Sequence, residues 1–506
     1  MTEFWKSIPA WPSAILKSLF TPQPQGKMRF AAAAWIVFLY LLGAYWFGVF
    51  FNWGDHTLFF QDWADITGPR TEFLRTAVKS GQLPLHISDP STMHGNTIRY
   101  LTVPDTLISP QILLLARFSI QRFNYINVLL FYTLGFAGLL ALRRKFHLSI
   151  FALAVLTLLF NFNGDLLAHF SVGHMTWIGT FLFPWFALLI FRLLEGDHSW
   201  KWIFWMSSLM AVIWLQGSFH QFLWLLIFLG LIGLFVPGCF WMIVRSGFFV
   251  LLLSAFRILP SIMLVGKYGA SYISGYPTFF SLWDSLINIT NLTGTYFYFP
   301  PGYEGVSPWE TANFIGILGT IFMLYFGLVR GMLVRQAPFQ KLLLPLGGML
   351  LLSMGQFFGY LRMIPIPLIQ GERVGTRIIS VVLVFLFIFA AERLQRWLDS
   401  SAISTDAEPP SLNSTGILPA WVLQGSLLLA FSMEMMELWI NLKTWSIPNA
   451  VKEFWWVYYD VDKWYVKNNW ADTTYLALVF GGLALSLITF AALALIAWRR
   501  SRKVET

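Results

Sequence analysis

The chain has 506 residues, of which 57% are hydrophobic, 18% aromatic and only 12% charged. A soluble domain carries about twice that charge fraction, so the composition excludes an ordinary water-soluble enzyme and leaves lipid as the solvent for much of the chain. The net charge of +9 does not point to nucleic acid, because the basic residues cluster at the ends of apolar runs rather than on one surface.

Lys6, Lys17, Lys27 and Arg29 precede the first apolar run, Arg143, Arg144 and Lys145 follow a later one, and Arg499, Arg500, Arg502 and Lys503 follow the last. This is the pattern of cytoplasmic anchors. Residues 1–28, broken by Pro9, Pro12, Pro22 and Pro24, read as a cytoplasmic N-terminal arm rather than a cleaved signal. Apolar runs then fall near 29–51, 107–119, 124–142, 149–163, 175–194, 201–216, 221–238, 241–257, 312–330, 342–358, 374–392, 417–440 and 476–498. The run 107–119 is short and follows Pro104, so a re-entrant or interfacial helix fits it better than a full crossing. The expected fold is an all-α membrane protein, a bundle of about 12–13 transmembrane helices with loop helices on its outer face. About twelve full crossings put both termini in the cytoplasm of a multi-pass protein of the cell (inner) membrane.

That topology assigns a transmembrane core to 29–397, with outer loops 52–106 and 258–311 and a shorter one at 164–174. A Pro- and Ser-containing cytoplasmic linker follows at 398–416, and a C-terminal transmembrane pair at 417–506 encloses the outer loop 441–475. Cys239 is alone, which excludes an intramolecular disulfide and a cysteine zinc cluster. No Walker loop or dinucleotide fingerprint is present. The acids, His and Tyr concentrate in the outer loops, and the chemistry is expected there.

The first outer loop is the most informative. Asp55 leads to Asp62 and Asp65, and Pro69 opens a stretch to Ser80 with Phe73, Leu74, Ala77 and Val78 at helical spacing, closed by Gly81. An amphipathic helix there would lie along the membrane surface and hold the acids at the headgroup plane. Such carboxylates can act as general base on an acceptor hydroxyl, or bind a divalent cation that neutralises a leaving phosphate. An aqueous loop also carries acids simply because it is aqueous.

The order of Asp62, Pro69, a helix ending in Gly81-Gln82-Leu83-Pro84, and then Gly95 resembles bacterial membrane glycosyltransferases of the GT-C fold. Gly173-His174 before an apolar run to Pro184, Gly217-Ser218-Phe219-His220-Gln221, Phe256-Arg257-Ile258-Leu259-Pro260, Asn313-Phe314-Ile315-Gly316, Ile364-Pro365 and Glu372-Arg373-Val374-Gly375-Thr376-Arg377 are similar to segments of that group in the same order. The resemblance covers roughly residues 30–395. It implies Asp62 as catalytic base, with Asp65 and Asp55 behind it. Many branches of the group have adjacent acids, which are absent here, so metal dependence and the choice among the three acids stay open.

Other candidates follow from chemistry. Asp165 can hold a metal or orient a phosphate, or cap a helix. His174 can donate to phosphate at the interface. His220 and Gln221 form a polar pair at the rim of an apolar run, where such residues face a cavity or a partner. Arg373 and Arg377, four apart, would share one helical face and bind phosphate on the outer side, against the positive-inside tendency. Glu310 can contribute to the pocket, whereas Tyr268, Tyr272, Tyr276, Tyr296, Tyr298 and Tyr303, like Asp460 and Asp462, fit interfacial packing better than sugar stacking. The site thus reads as catalytic Asp62 and Asp65, substrate-binding Asp165, His174, His220, Gln221, Glu310, Arg373 and Arg377, and a possible divalent metal (Mg or Mn) on Asp62 or Asp165. The resemblance implies inverting transfer of a sugar from a polyprenyl-phosphate donor to a glycolipid, polymer or protein acceptor. The rival readings are a secondary transporter or a lipid or polysaccharide flippase. A transporter should carry ionisable residues in mid-span, and these span centres are nearly free of charge.

Overall fold

A computed structural model describes residues 17–264, 274–290, 307–334, 337–363, 372–400, 420–453 and 463–502. The chain is an all-α protein, and among the described residues seven helices are long and apolar enough to cross a bilayer: Met28–Phe50, Ile120–Phe146, Ile150–Val172, Met175–Leu194, Ile317–Val334, Gly375–Ser400 and Thr473–Arg500. An eighth arises if Phe240–Leu253 and Ala255–Leu264, bent by 72° at their junction, count as one span. Three apolar helices fall short: Trp200–Leu215, Phe219–Phe235 and Ala337–Ser353. At 1.5 Å per residue, their 16 or 17 residues rise only about 25 Å, less than the roughly 30 Å hydrocarbon core. Among the described residues, seven or eight helices thus have the length and apolarity of a crossing, fewer than the expected dozen. Outward-facing Phe38, Leu41, Trp241, Phe248, Leu344, Leu487 and Ile488 are exposed, a surface suited to lipid and not to water.

The segment 107–119 does not cross. It forms a short 3₁₀ helix, Pro110–Ala116, packed beside Gly68–Ser80. The expected outer loop 164–174 is a buried helix instead, Gly164–Val172. Asn163, not Asp165, caps it by accepting the Leu166 N–H at 3.1 Å, and the apolar residues that follow carry the helix inward.

Helix ends gather at two poles. At one, Gln23 meets His147 at 2.9 Å, Lys145 pairs with Glu195 at 2.5 Å, Lys341 donates to the Leu194 carbonyl at 3.0 Å, and Arg500 lies over Trp200. At the other, the first loop is clamped by the start of the last helix. Arg99 donates to both oxygens of Asp472 at 2.6 and 2.9 Å, and the Tyr475 hydroxyl donates to the Leu85 carbonyl at 2.9 Å. The C-terminal pair is thereby fastened to the segment 52–106. Tyr268, Tyr272, Tyr296, Tyr298, Tyr303, Ile364, Pro365, Asp460 and Asp462, with most of the 398–416 linker, lie outside the described residues.

Candidate functional site

At the second pole a cavity of about 330 Å³ opens between the first loop and the ends of several helices. Its wall includes Asp62, Arg70, His94, Asp105, Asn124, Asn127, His174, His220, Arg373 and Arg377. Five of the nine sequence candidates line it: Asp62, His174, His220, Arg373 and Arg377.

Asp62 is placed by an unusual local backbone. Gln61 adopts φ 44°, a left-handed value rare outside glycine, and Trp63–Thr67 forms a single π-helical stretch leading into Gly68–Ser80. That helix has Pro69 in its first turn and stops at Gly81 in the left-handed conformation, as the sequence indicates. It is not a surface-lying amphipath, because Arg70, Phe73, Leu74 and Ala77 are buried. The π turn is pinned to the 171–174 turn, with Trp63 Nε1 donating to the Ser171 carbonyl at 3.0 Å and Thr67 Oγ1 to that of Gly173 at 2.6 Å. Gly173 has φ 102°, and a Cβ there would lie 2.5 Å from the Trp63 backbone nitrogen. Only glycine lets the two turns touch, and the contact sets His174 Nε2 2.5 Å from Asp62 Oδ2. Asp65 is exposed and is not part of the cavity wall. Partial desolvation and then the neighbouring Asp62 charge raise its pKa.

Behind this wall lies a buried polar layer. Arg377 forks onto Glu310, both bonds at 2.5 Å, and its guanidinium lies 5.0 Å from the Trp177 ring centroid. Glu310 also lies 3.3 Å from His169 Nε2. His169 stacks on Trp177 with centroids 3.8 Å apart, and Trp177 Nε1 donates to Asp165 Oδ1 at 3.4 Å. Glu372 accepts from Trp224 Nε1 at 3.0 Å, pairs with His220 Nδ1 at 2.7 Å, and caps the backbone N–H groups of Arg373 and Val374. Burial alone would raise the Glu310 and Glu372 carboxyls. Arg377 instead holds Glu310 well below the usual carboxylate range, and His220 and then Arg377 bring Glu372 to about 2. Asp165 and Glu310 thus stand behind the cavity and support the residues facing it. Gln221 is fully buried away from it, with no hydrogen-bond partner for either amide atom. Arg373 and Arg377 do not share a helical face, since Arg373 precedes the helical turn that begins at Gly375. The fold brings both to the cavity regardless.

A second ionic group escaped the sequence reading. Asp105 takes Arg70 at 3.2 Å and His94 at 3.3 Å. Burial opposes its ionisation, but Arg70 and then His94 hold it well below the usual range. The 103–106 turn that carries it is fixed by Arg257, which donates to the Val103 carbonyl at 2.9 Å and the Pro104 carbonyl at 3.1 Å. Asn124 and Asn127, from the first turns of Ile120–Phe146, are buried in the wall, and Asn124 Nδ2 and Asn127 Oδ1 have no hydrogen-bond partner. Their place in the first turns of an apolar run was the available sequence signal. Among the described residues, the His and carboxylate side chains whose ligand atoms converge are His169, His174 and Glu310, a set that includes neither Asp62 nor Asp165.

No protein-family model, no curated protein and no solved structure matches this chain.

Proposed function

We propose that the protein is a membrane glycosyltransferase that moves a sugar from a polyprenyl-phosphate donor to an acceptor hydroxyl by inverting displacement. The observation that carries this reading is one cavity, at the end of an apolar bundle, with the Asp62–His174 pair and the guanidinium groups of Arg373 and Arg377 in its wall. Asp62 takes the acceptor proton as its oxygen attacks the anomeric carbon, and His174 holds the carboxylate in place. The phosphate leaves on the side of Arg373 and Arg377, where guanidinium matches phosphate geometry. The unpartnered amide atoms of Asn124 and Asn127 suit the hydroxyls of a neutral sugar, which both donate and accept. The lipid chain would run along the exposed apolar face of the bundle.

Sidedness supports an extracytoplasmic site in a cell membrane. Arg143, Arg144, Lys145, Lys341 and Arg500 belong to the pole away from the cavity, as cytoplasmic anchors would. The chain's described helices begin and end at that pole, which supports cytoplasmic termini. The test is transfer of labelled sugar from a panel of polyprenyl-phosphate sugars in membranes carrying wild type, Asp62→Asn or Arg373→Gln at matched levels. Transfer by wild type and its loss in Asp62→Asn are expected. Equal transfer by both would remove Asp62 as base.

A further inference from the structure

Hydrogen bonding fixes where the protons of two histidines sit. His169 is fully buried, and its Nδ1 lies 2.8 Å from the Asp165 backbone carbonyl, which can only accept. The proton therefore sits on Nδ1, and Nε2 presents its lone pair to Glu310 Oε2, 3.3 Å away. Two lone pairs facing at that distance repel unless a cation joins them. His174 has the opposite arrangement: Nε2 meets the Asp62 carboxylate at 2.5 Å, which puts the proton there. Its Nδ1 is left buried without a hydrogen-bond partner. An orphaned buried acceptor calls for an explanation, and an ion is one of the few available.

We infer that His169, His174 and Glu310 form a binding site for a borderline divalent cation such as zinc. A ligand atom from each lies within 4.8 Å of the other two. Bonds of about 2.0–2.1 Å at a tetrahedral angle place ligand atoms about 3.3 Å apart, which is the His169–Glu310 separation of 3.3 Å. Two imidazoles with one carboxylate select zinc over magnesium, which prefers oxygen donors and bound water. The Arg377 fork uses one lone pair on each Glu310 oxygen and leaves another for the ion. Asp62 is then a positioning residue for the site: it accepts from the far nitrogen of a liganding histidine, which orients the ring and raises its basicity.

The inference stands or falls independently of sugar transfer, because it is read by metal content. Full-length protein in detergent would be stripped with chelator, equilibrated with zinc, and freed of excess. Bound metal would then be counted by mass spectrometry and thermal melting followed with and without zinc. Wild type should hold about one zinc per chain and melt at higher temperature with it, while an equal concentration of magnesium does neither. His174→Gln should lose the ion and the zinc-dependent shift while melting like metal-free wild type, since the glutamine amide N–H can replace the Nε2 donation to Asp62 and Nδ1 has no partner within the protein to lose. Asp62→Asn should keep the site with about 10- to 100-fold weaker affinity. Wild type holding no more zinc than His174→Gln, or zinc raising the melting of both equally, would overturn the assignment.

Discussion

Acids packed into the body of this protein occur in two settings, and the difference shows what a carboxylate does there. Within the helix Ala420–Trp445, Glu434 accepts the Gly319 N–H at 2.7 Å and Glu437 that of Ile317 at 2.9 Å. They cap the start of Ile317–Phe322, and Gly316, with φ 78°, admits them because a Cβ there would strike both carboxylates. At the cavity, by contrast, Asp62, Glu310 and Glu372 pair with imidazole and guanidinium, and Asp62 opens onto a space a substrate can enter. In the first setting the carboxylates accept from backbone N–H groups and do not line the cavity. The second is an assembly of groups that titrate, bind anions and move protons. A similar contrast holds at the far pole, where buried Arg393 donates to the Phe326 and Gly327 carbonyls of the π-helical stretch Met323–Val329. Charges within the apolar helices thus include Glu434 and Arg393, and each has a structural task.

Substitutions can break or sharpen this contrast. The largest effect is expected for Asp62→Asn: a fall in transfer of about 10²- to 10⁴-fold, the usual worth of a general base, with little change in melting temperature. Glu310→Gln removes one partner of a buried ion pair and should cost about 3–5 kcal/mol of stability, seen as a lower melting temperature together with lost transfer. Gly173→Ala forces the 171–174 turn away from Trp63 and should lower the turnover number by about 10²-fold through misplacement of Asp62, with a smaller effect on melting. Glu434→Gln should cost about 0.5–2 kcal/mol as a weakened cap and leave transfer unchanged.

The smallest effect is one of pH. Glu372 is depressed to about 2 in the fold from an ordinary 4.5, so its contribution to stability is complete above about 4.5 and is lost as pH falls toward 2. Melting temperature in detergent should therefore decline across that window in wild type. Glu372→Gln should melt lower at neutral pH and show a shallower decline.

The all-α membrane class was legible in the sequence because apolar runs and terminal charges are local signals, as were the Pro69 start and Gly81 stop of the loop helix. Helix lengths were not, since an apolar run of 16 or 17 residues looks like a span until its rise is compared with the bilayer. Asp62, His174, His220, Arg373 and Arg377 could be named from residue type and position. The way they meet could not. It depends on the π turn after Asp62 and the glycine contact at Gly173, which join positions more than a hundred residues apart. The Arg70–Asp105–His94 group was missed for the same reason, and Gln221 lies off the cavity because a polar residue at a span rim can point either way.

The most direct test of the central claim compares Asp62→Asn with Glu434→Gln in one transfer assay, alongside melting temperatures. The account expects Asp62→Asn to lose transfer and keep its melting temperature, and Glu434→Gln to keep transfer and melt lower. Transfer that survives in Asp62→Asn and disappears in Glu434→Gln would contradict it.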